Sequence, residues 1–454
     1  MADDGEHPPL HTSDEREPVG QIGPEVWLVA PETRRLMAAL SEDGARTRFV
    51  GGCVRDALMR RTGPGPYDID IATTLHPQQV VERLSAAGFE PRMHSAGHGA
   101  VQVGEGVFSY EITTLRKDIR CDGRHAEVVF TDRFIDDAMR RDFTLNALYA
   151  DADGMVTDYV DGMRDLAHGR IRFLGRPMER IAEDTLRILR FFRFHAWLGR
   201  PPADANAVSA CQAQAAGLDR LSAERVRREF LRLMEAPDPC DTLALMRGTR
   251  TLERILPART DLAALRVLVM MENRGVSGGT LRPDAIRRIA CLMGAGCADP
   301  VPYSAETFAR LSLTVAEARR LEGLLTPSAD LWPDPSTDTA HVRVLLDTLG
   351  REAVTDRLVL KWAVERSDAA ATHGARTDAW LALLEMAHSW DPPPFPLNGR
   401  DVLAWGLTGP EVGATLRGLR RVWAQSGGVL SRDDLFGVWQ PGVSPRRFLD
   451  GDSG

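Results

Sequence analysis

The spacing of apolar positions along the chain changes character once. From residue 31 to about 43, Leu36, Met37 and Leu40 recur at helical spacing, and short runs of β type then take over. Residues 48–50, 67–71, 100–103, 107–114, 126–130 and 155–160 read as strands. Helical patterns interrupt them at 53–61 and 77–87, where Pro77 suits a first helical position and Gly88 a stop. Beyond Met178 the strand signal ends, and amphipathic helical runs follow at 182–197, 223–234, 261–271, 315–325, 341–349 and 378–387. The pattern predicts an α+β chain in four parts: a polar tail that does not fold (1–24), a mixed-sheet domain (25–175), a helical neck (176–240) and an all-helical remainder (241–454).

Length and composition narrow the class. The 454 residues carry a formal charge of −8, and 43% hydrophobic with 26% charged residues excludes collagen-like, mucin-like and wholly disordered proteins. No apolar run reaches the roughly 18 to 20 residues that span a bilayer, and the N-terminal stretch lacks a basic segment followed by an apolar one, so neither a membrane partner nor secretion is expected. The six cysteines are scattered, only Cys291 and Cys297 lie close, and none has zinc-site spacing; they read as reduced thiols of a cytoplasmic protein. Acidity argues against a nucleic-acid partner only until it is located. Residues 3–17 carry six acids and one Arg, whereas residues 176–232 carry eleven Arg against seven acids. Lys occurs twice, so nearly every cation is Arg, whose planar fork suits phosphates and base edges, although biased codon usage would leave the same composition.

Two short patterns carry candidate chemistry. Asp68 and Asp70 alternate with Ile69 and Ile71 on a predicted strand, which places both carboxylates on one face. Such a pair suits Mg2+ held between protein carboxylates, water and substrate phosphates; a solvated strand face gives the same pattern. Upstream, Phe49-Val50-Gly51-Gly52-Cys53-Val54-Arg55-Asp56 runs from strand through a Gly-Gly turn into a helix. Unpaired N–H groups at Gly52 and the Arg55 fork could cradle a triphosphate, and a plain strand-to-helix connection is the structural alternative.

Together these patterns resemble the nucleotidyltransferase core of the polymerase β superfamily, specifically the class II tRNA nucleotidyltransferases and bacterial poly(A) polymerases. Arg140-Arg141-Asp142-Phe143-Thr144-Leu145-Asn146 is similar to that family's second motif, and the stretch from Asp158 to Leu166 to its third, with Asp161 where a second glycine is more usual. Arg180-Ile181-x-Glu183-Asp184-x-x-Arg187-x-Leu189-Arg190-x-x-Arg193 resembles the fourth. The resemblance implies a palm-like catalytic domain followed by an all-α neck, body and tail. It also implies an Mg2+-dependent enzyme that adds CMP, CMP and AMP to the 3′ end of tRNA from CTP and ATP without a template. A poly(A) polymerase or an enzyme adding only C or only A shares these motifs; a non-catalytic RNA-binding relative would keep the fold, and intact Asp68 and Asp70 argue against it.

The same resemblance distributes roles. Asp68 and Asp70 would hold metal, with Glu111, on the strand around Tyr110, as a third carboxylate or an outward-facing strand residue. Gly52, Arg55, Arg141, Arg190 and Arg193 would hold nucleotide or phosphate, and Asp142 with Asn146 the ribose, unless Asp142 caps a helix. Placed three apart on one helix, Asp184 and Arg187 would form a base-pairing edge that accepts from the amine of cytosine or adenine and donates to the adjacent ring nitrogen; an intrahelical salt bridge is the alternative. Residues 117–124 would form a flexible loop or, equally, an ordinary surface hairpin. Arg225, Arg228 and Arg232, on one face of a basic helix, would meet the tRNA acceptor stem, or simply solvent. The stretch 396–413 resembles a helical tail that grips the tRNA body.

Overall fold

In a computed structural model of the chain, the described residues are 14, 16–95, 99–122, 125–256, 260–275, 281–297, 309–326, 328–368 and 376–439. The chain forms two compact units, Met1–Leu256 and Pro257–Gly454, so the break falls later than the one expected after residue 240.

The first unit is built on an eight-stranded sheet in the order β1-β10-β9-β2-β3-β6-β5-β4. Its strands are β1 (Gly20–Gln21), β2 (Thr47–Val50), β3 (Tyr67–Thr73), β4 (Arg92–Ser95), β5 (Ala100–Glu105), β6 (Phe108–Thr114), β9 (Leu148–Ala150) and β10 (Met155–Asp158); β7 (Arg116–Asp122) and β8 (His125–Phe130) form a separate ribbon. Seven helices accompany this sheet before the neck's nucleotide region: α1 (Val26–Val29), α2 (Pro31–Leu40), α3 (Gly52–Leu58), α4 (Pro77–Ala86), α5 (Phe134–Arg140), α6 (Gly162–His168) and α7 (Pro177–Glu183). The pairing is antiparallel except between β3 and β6, which run parallel with Asp70 opposite Glu111. Side-chain alternation divides two cores. Phe49, Ile69, Ile71, Tyr110 and Ile112 pack on one face with Leu36 and Leu40 of α2 and Val80 and Leu84 of α4. On the other, Val50, Ala72, Tyr149 and Tyr159 pack with Phe134, Ile135 and Ala138 of α5. Because Ile69 and Ile71 fill the first core, Asp68 and Asp70 face the second side, with Asp68 exposed and Asp70 half-buried.

The neck follows as α8 (Leu186–Leu198), α9 (Ala205–Gln214), α10 (Ala223–Met234) and α11 (Cys240–Gly248). The second unit is helical throughout its described residues, including Leu262–Arg274, Ala285–Leu292, Val315–Leu325, Thr339–Leu349, Arg351–Ser367, Thr377–Ser389 and Pro410–Gln425. Its tryptophans are core anchors where they are most buried: Trp380 stacks on Trp362 at 6.1 Å, and Trp423 packs with Leu397, Leu419 and Leu435.

Several expectations are corrected. The polar tail of residues 1–24 is ordered from before its expected end: Gly20 and Gln21 pair with Val156 and Met155, and Ile22 is buried. A two-residue strand has no alternation to read, so only the partner strand reveals it. Residues 1–13 lie outside the described residues. At 117–124 the hairpin alternative is the one that pairs: β7 runs antiparallel to β8 through Asp122, while residues 123 and 124 lie outside the described residues. The helix expected at 182–197 is broken, since α7 ends at Glu183 and α8 begins at Leu186, leaving Asp184 extended at φ −152°, ψ 105°.

Candidate active site

The site begins at the turn between β2 and α3. Gly51 has φ 78° and ψ −126°, a conformation that side-chain-bearing residues rarely adopt, and a Cβ there would lie 3.4 Å from Asp70 Oδ2, 3.6 Å from Arg141 Nη1 and 3.7 Å from the Asn146 carbonyl oxygen. The turn, the inner carboxylate and the two second-motif residues therefore converge on one point. Asp68 is exposed, Asp70 half-buried, and Glu111 exposed beside Asp70 on the neighbouring strand. Burial pushes the Asp70 carboxyl up to about 6; Arg141 and Arg55 oppose this, while Glu111 and Asp68 add to it. Crowded oxygen donors that resist ionisation are a set that a hard divalent cation relieves. No group of three or more His, Cys, Asp or Glu among the described residues could hold an ion by itself, so water and substrate phosphates would complete the coordination.

A continuous polar chain leads from this turn into the neck. Arg55 forks onto Asp56 at 2.8 and 3.0 Å and donates from Nη1 to Asn146 Oδ1 at 2.6 Å; Asn146 Nδ2 donates to Asp142 Oδ1 at 3.0 Å. Asp142 Oδ2 accepts from Arg190 Nε at 2.7 Å, and Glu229 Oε2 of α10 accepts from Arg193 Nε at 2.6 Å with Arg190 Nη1 3.6 Å from its other oxygen. Burial would raise Asp142, but Arg190 and Asn146 outweigh it and hold the carboxyl at about 2. Arg55, Arg190 and Arg193 all lie over the ring of Phe194, with Arg193 nearest at 4.1 Å.

Arg141 is set from α5. Buried Asp137 accepts from Arg141 Nη2 at 3.0 Å, Arg140 Nε at 2.7 Å and the Tyr149 hydroxyl at 2.7 Å. Burial again opposes ionisation, yet the two guanidinium groups hold Asp137 at about 2. Asp161, which stands where glycine is more usual, adopts the left-handed conformation itself at φ 60°, a region that aspartate enters more readily than most residues. At the neighbouring Gly162 a Cβ would run into the Thr144 carbonyl oxygen, so no side chain fits there.

The expected base-pairing edge has a different geometry. Asp184 and Arg187 do not share a helix. Asp184 Oδ1 instead accepts from the Leu186 N–H at 3.1 Å and its Oδ2 from Arg225 Nη2 at 2.7 Å. Arg187 Nη1 donates to Glu183 Oε2 at 2.5 Å and to the Arg180 carbonyl oxygen at 2.8 Å. Arg225, expected to face RNA, is thus turned toward the α7–α8 junction, whereas Arg228 and Arg232, one turn apart on α10, are exposed. Sequence reasoning missed Glu229 and Asp137. Each had a signal: Glu229 occupies the apolar stripe of Val226, Phe230 and Leu233, and Asp137 follows Phe134 by three and precedes Ala138, positions where an acid is buried and must find cations.

Comparison with known proteins follows this geometry. A family profile described as the poly A polymerase head domain matches residues 47–172, and one described as a probable RNA and SrmB-binding site of polymerase A matches 204–262. The fold and these matches are those of a nucleotidyltransferase. The chain is 31% identical over 415 residues to CCA tRNA nucleotidyltransferase 1, mitochondrial, of Mus musculus, covering 88% of each chain. It is 32% identical over 400 residues to the Homo sapiens protein of the same name, covering 86% of this chain and 85% of that one. The chain belongs to the CCA tRNA nucleotidyltransferase family. Its fold is also similar to that of the Bacillus stearothermophilus CCA-adding enzyme in complex with CTP, with a TM-score of 0.67 at 24% identity over 90% of this chain and 96% of that one.

Proposed function

We propose that this chain completes the 3′ end of tRNA, transferring CMP, CMP and AMP from CTP and ATP and releasing pyrophosphate. The observation that carries the reading is the convergence of Gly51, Asp70, Arg141 and Asn146 on one point, joined by hydrogen bonds to the neck helix that holds Arg190.

Asp68 and Asp70 would hold a divalent cation, for which Mg2+ is the best match to an all-oxygen donor set. Bound there, Mg2+ supplies Lewis-acid stabilisation of phosphoryl oxygens and lowers the proton affinity of a coordinated hydroxyl. The remaining work belongs to the protein. Gly52 lets backbone approach the triphosphate, which Arg55 and Arg141 neutralise; Asp142 and Asn146 orient the ribose; Arg190 and Arg193 add positive charge from α8. Glu111, in register with Asp70, would orient the carboxylate pair. Asp184, with both oxygens already held, presents its remaining lone pairs to the amine of cytosine or adenine, and Arg187 donates beside it. Uracil and guanine would set acceptor against acceptor and donor against donor. Exposed Arg228 and Arg232 would contact the acceptor-stem phosphates.

A cytoplasmic setting is part of the proposal and rests on the scattered cysteines, of which Cys53, Cys211, Cys240, Cys291 and Cys297 are free thiols. No helix among the described residues is long and apolar enough to cross a membrane.

The test is incorporation of each labelled nucleotide into tRNA transcripts ending before CCA, after C and after CC, with Mg2+ and with chelator. Two C additions followed by one A, stopping there, are expected. A long A tail or a single nucleotide type would replace the substrate assignment, and no addition at all would overturn the enzymatic one.

A further inference from the structure

The N-terminal arm reaches the helix that sets Arg141. Asp14 Oδ1 accepts from the backbone N–H of Ile135 at 3.2 Å, so the first turn of α5 is capped from 121 positions away; its neighbour Arg133 gives no side-chain cap. Asp14 Oδ2 accepts from Arg46 Nη1 at 2.6 Å, and the Asp14 carbonyl oxygen accepts from the Tyr159 hydroxyl at 3.2 Å, which in turn accepts from Arg48 Nη1 at 2.7 Å. Both Arg46 and Arg48 lie over the ring of Phe134, the first residue of α5, at 5.6 and 4.6 Å. The arm is then tied down by the β1–β10 ladder and by Arg16 Nη1 donating to the Asp158 carbonyl oxygen at 3.1 Å.

Two routes lead from this clamp to the site. Along α5, the capped turn fixes Asp137, which holds Arg141. Across the core, Tyr159 packs edge-on against Tyr149 at 5.6 Å, and Tyr149 donates to the same Asp137 oxygen that Arg141 uses. Arg141 Nη1 ends 3.6 Å from the point where a Cβ on Gly51 would sit, beside Asp70.

We propose that Asp14 is a positioning residue of the active site, acting through α5 and Asp137 to hold Arg141 at the triphosphate. The arm is part of the catalytic apparatus, although it touches no reacting atom. This rests on the proposed nucleotide site, because Arg141 is its point of action.

The experiment measures kcat and KM for CMP transfer by the full-length protein, well below its melting temperature, in five forms: wild type, Asp14→Ala, Asp14→Asn, Asp137→Asn and the Asp14→Ala/Asp137→Asn double variant. Loss of a remote cap should lower kcat of Asp14→Ala about fivefold, the rate equivalent of about 1 kcal/mol, with KM for tRNA unchanged. Asp14→Asn, which keeps an acceptor for Ile135 but loses the charge on Arg46, should lose less. In the Asp137→Asn background, Asp14→Ala should cost less than about twofold, because the route to Arg141 is already cut. Unchanged kcat in Asp14→Ala, or the same loss with and without Asp137, would overturn the inference. Wild type that transfers no nucleotide would remove the underlying reading instead, so the two failures are distinct.

Discussion

The two units each contain a network of arginines and acids, and the networks differ in what they leave open. In the second unit Glu272 accepts from Arg287 at 2.7 Å and from Arg288 at 2.6 Å, Asp356 accepts from Arg287 at 3.1 Å and Arg320 at 2.7 Å, and Arg320 also meets Asp284. Glu272 and Arg288 are fully withdrawn from solvent, and exposure begins only at the edge of the network, where Arg320 and Asp284 are about a quarter exposed. In the first unit Asp142 and Arg190 pair at 2.6 Å, but a third of the Arg190 side chain remains exposed, and Asp184 and Arg225 are about a quarter exposed. The same chemistry thus serves two purposes. Closed off, charges must satisfy one another and hold helices in place; where they stay partly exposed they keep spare bonding capacity for a ligand.

The contrast is broken first at the carboxylate pair. Asp68→Ala and Asp70→Asn should each reduce nucleotide transfer about a thousandfold or more, read by labelled CMP incorporation. In chelator, Asp70→Asn should melt at or above the wild-type temperature, since it relieves a crowded buried charge; a clear drop would show that Asp70 serves the fold instead. Glu272→Gln should do the reverse, costing about 3 to 5 kcal/mol in urea unfolding while the folded fraction still transfers nucleotide. Acid tests the paired carboxylates of the first unit. Asp137 and Asp142 have folded pKa values of about 2, below the ordinary 3.8, so each contributes stability present above about pH 4 and lost as pH falls toward 2. About 2 kcal/mol apiece should disappear across that window, and Asp137→Asn should flatten its share.

Smaller effects separate the two faces of α10. Asp184→Ala should admit UTP and GTP by about 10- to 100-fold relative to wild type, the scale of one lost bidentate discrimination. Arg225→Gln should relax selection in the same direction with KM for tRNA unchanged. If it raised KM for tRNA and left nucleotide choice alone, the ion pair with Asp184 would have no functional weight. The smallest change is expected for Arg228→Gln, which should weaken tRNA binding and lower its salt slope by about 1 without altering nucleotide choice.

Alternation at 67–71 was enough to place Asp68 and Asp70 on one face, because a strand has a strict period of two and isoleucine can satisfy only the core. The Gly-Gly turn was equally legible, since its residue types are tied to local backbone needs, whereas the second motif was legible only through its resemblance to the family's. The split at Asp184 was not: the apolar spacing of residues 181–194 runs through the break, and the turn is held by Arg225, forty-one positions away. The strap at Gly20 and the cap from Asp14 were hidden for the same reason, as both are made by partners more than a hundred residues distant.

The sequence by itself determined which groups exist and which face of each element they occupy: the paired carboxylates, the glycine turn, the arginine-rich neck and the α+β order. Only the tertiary structure decided which arginine meets which acid. A guanidinium has five donors and several acids within reach of its long side chain, so its partner is chosen by the packing of helices and strands and not by spacing along the chain.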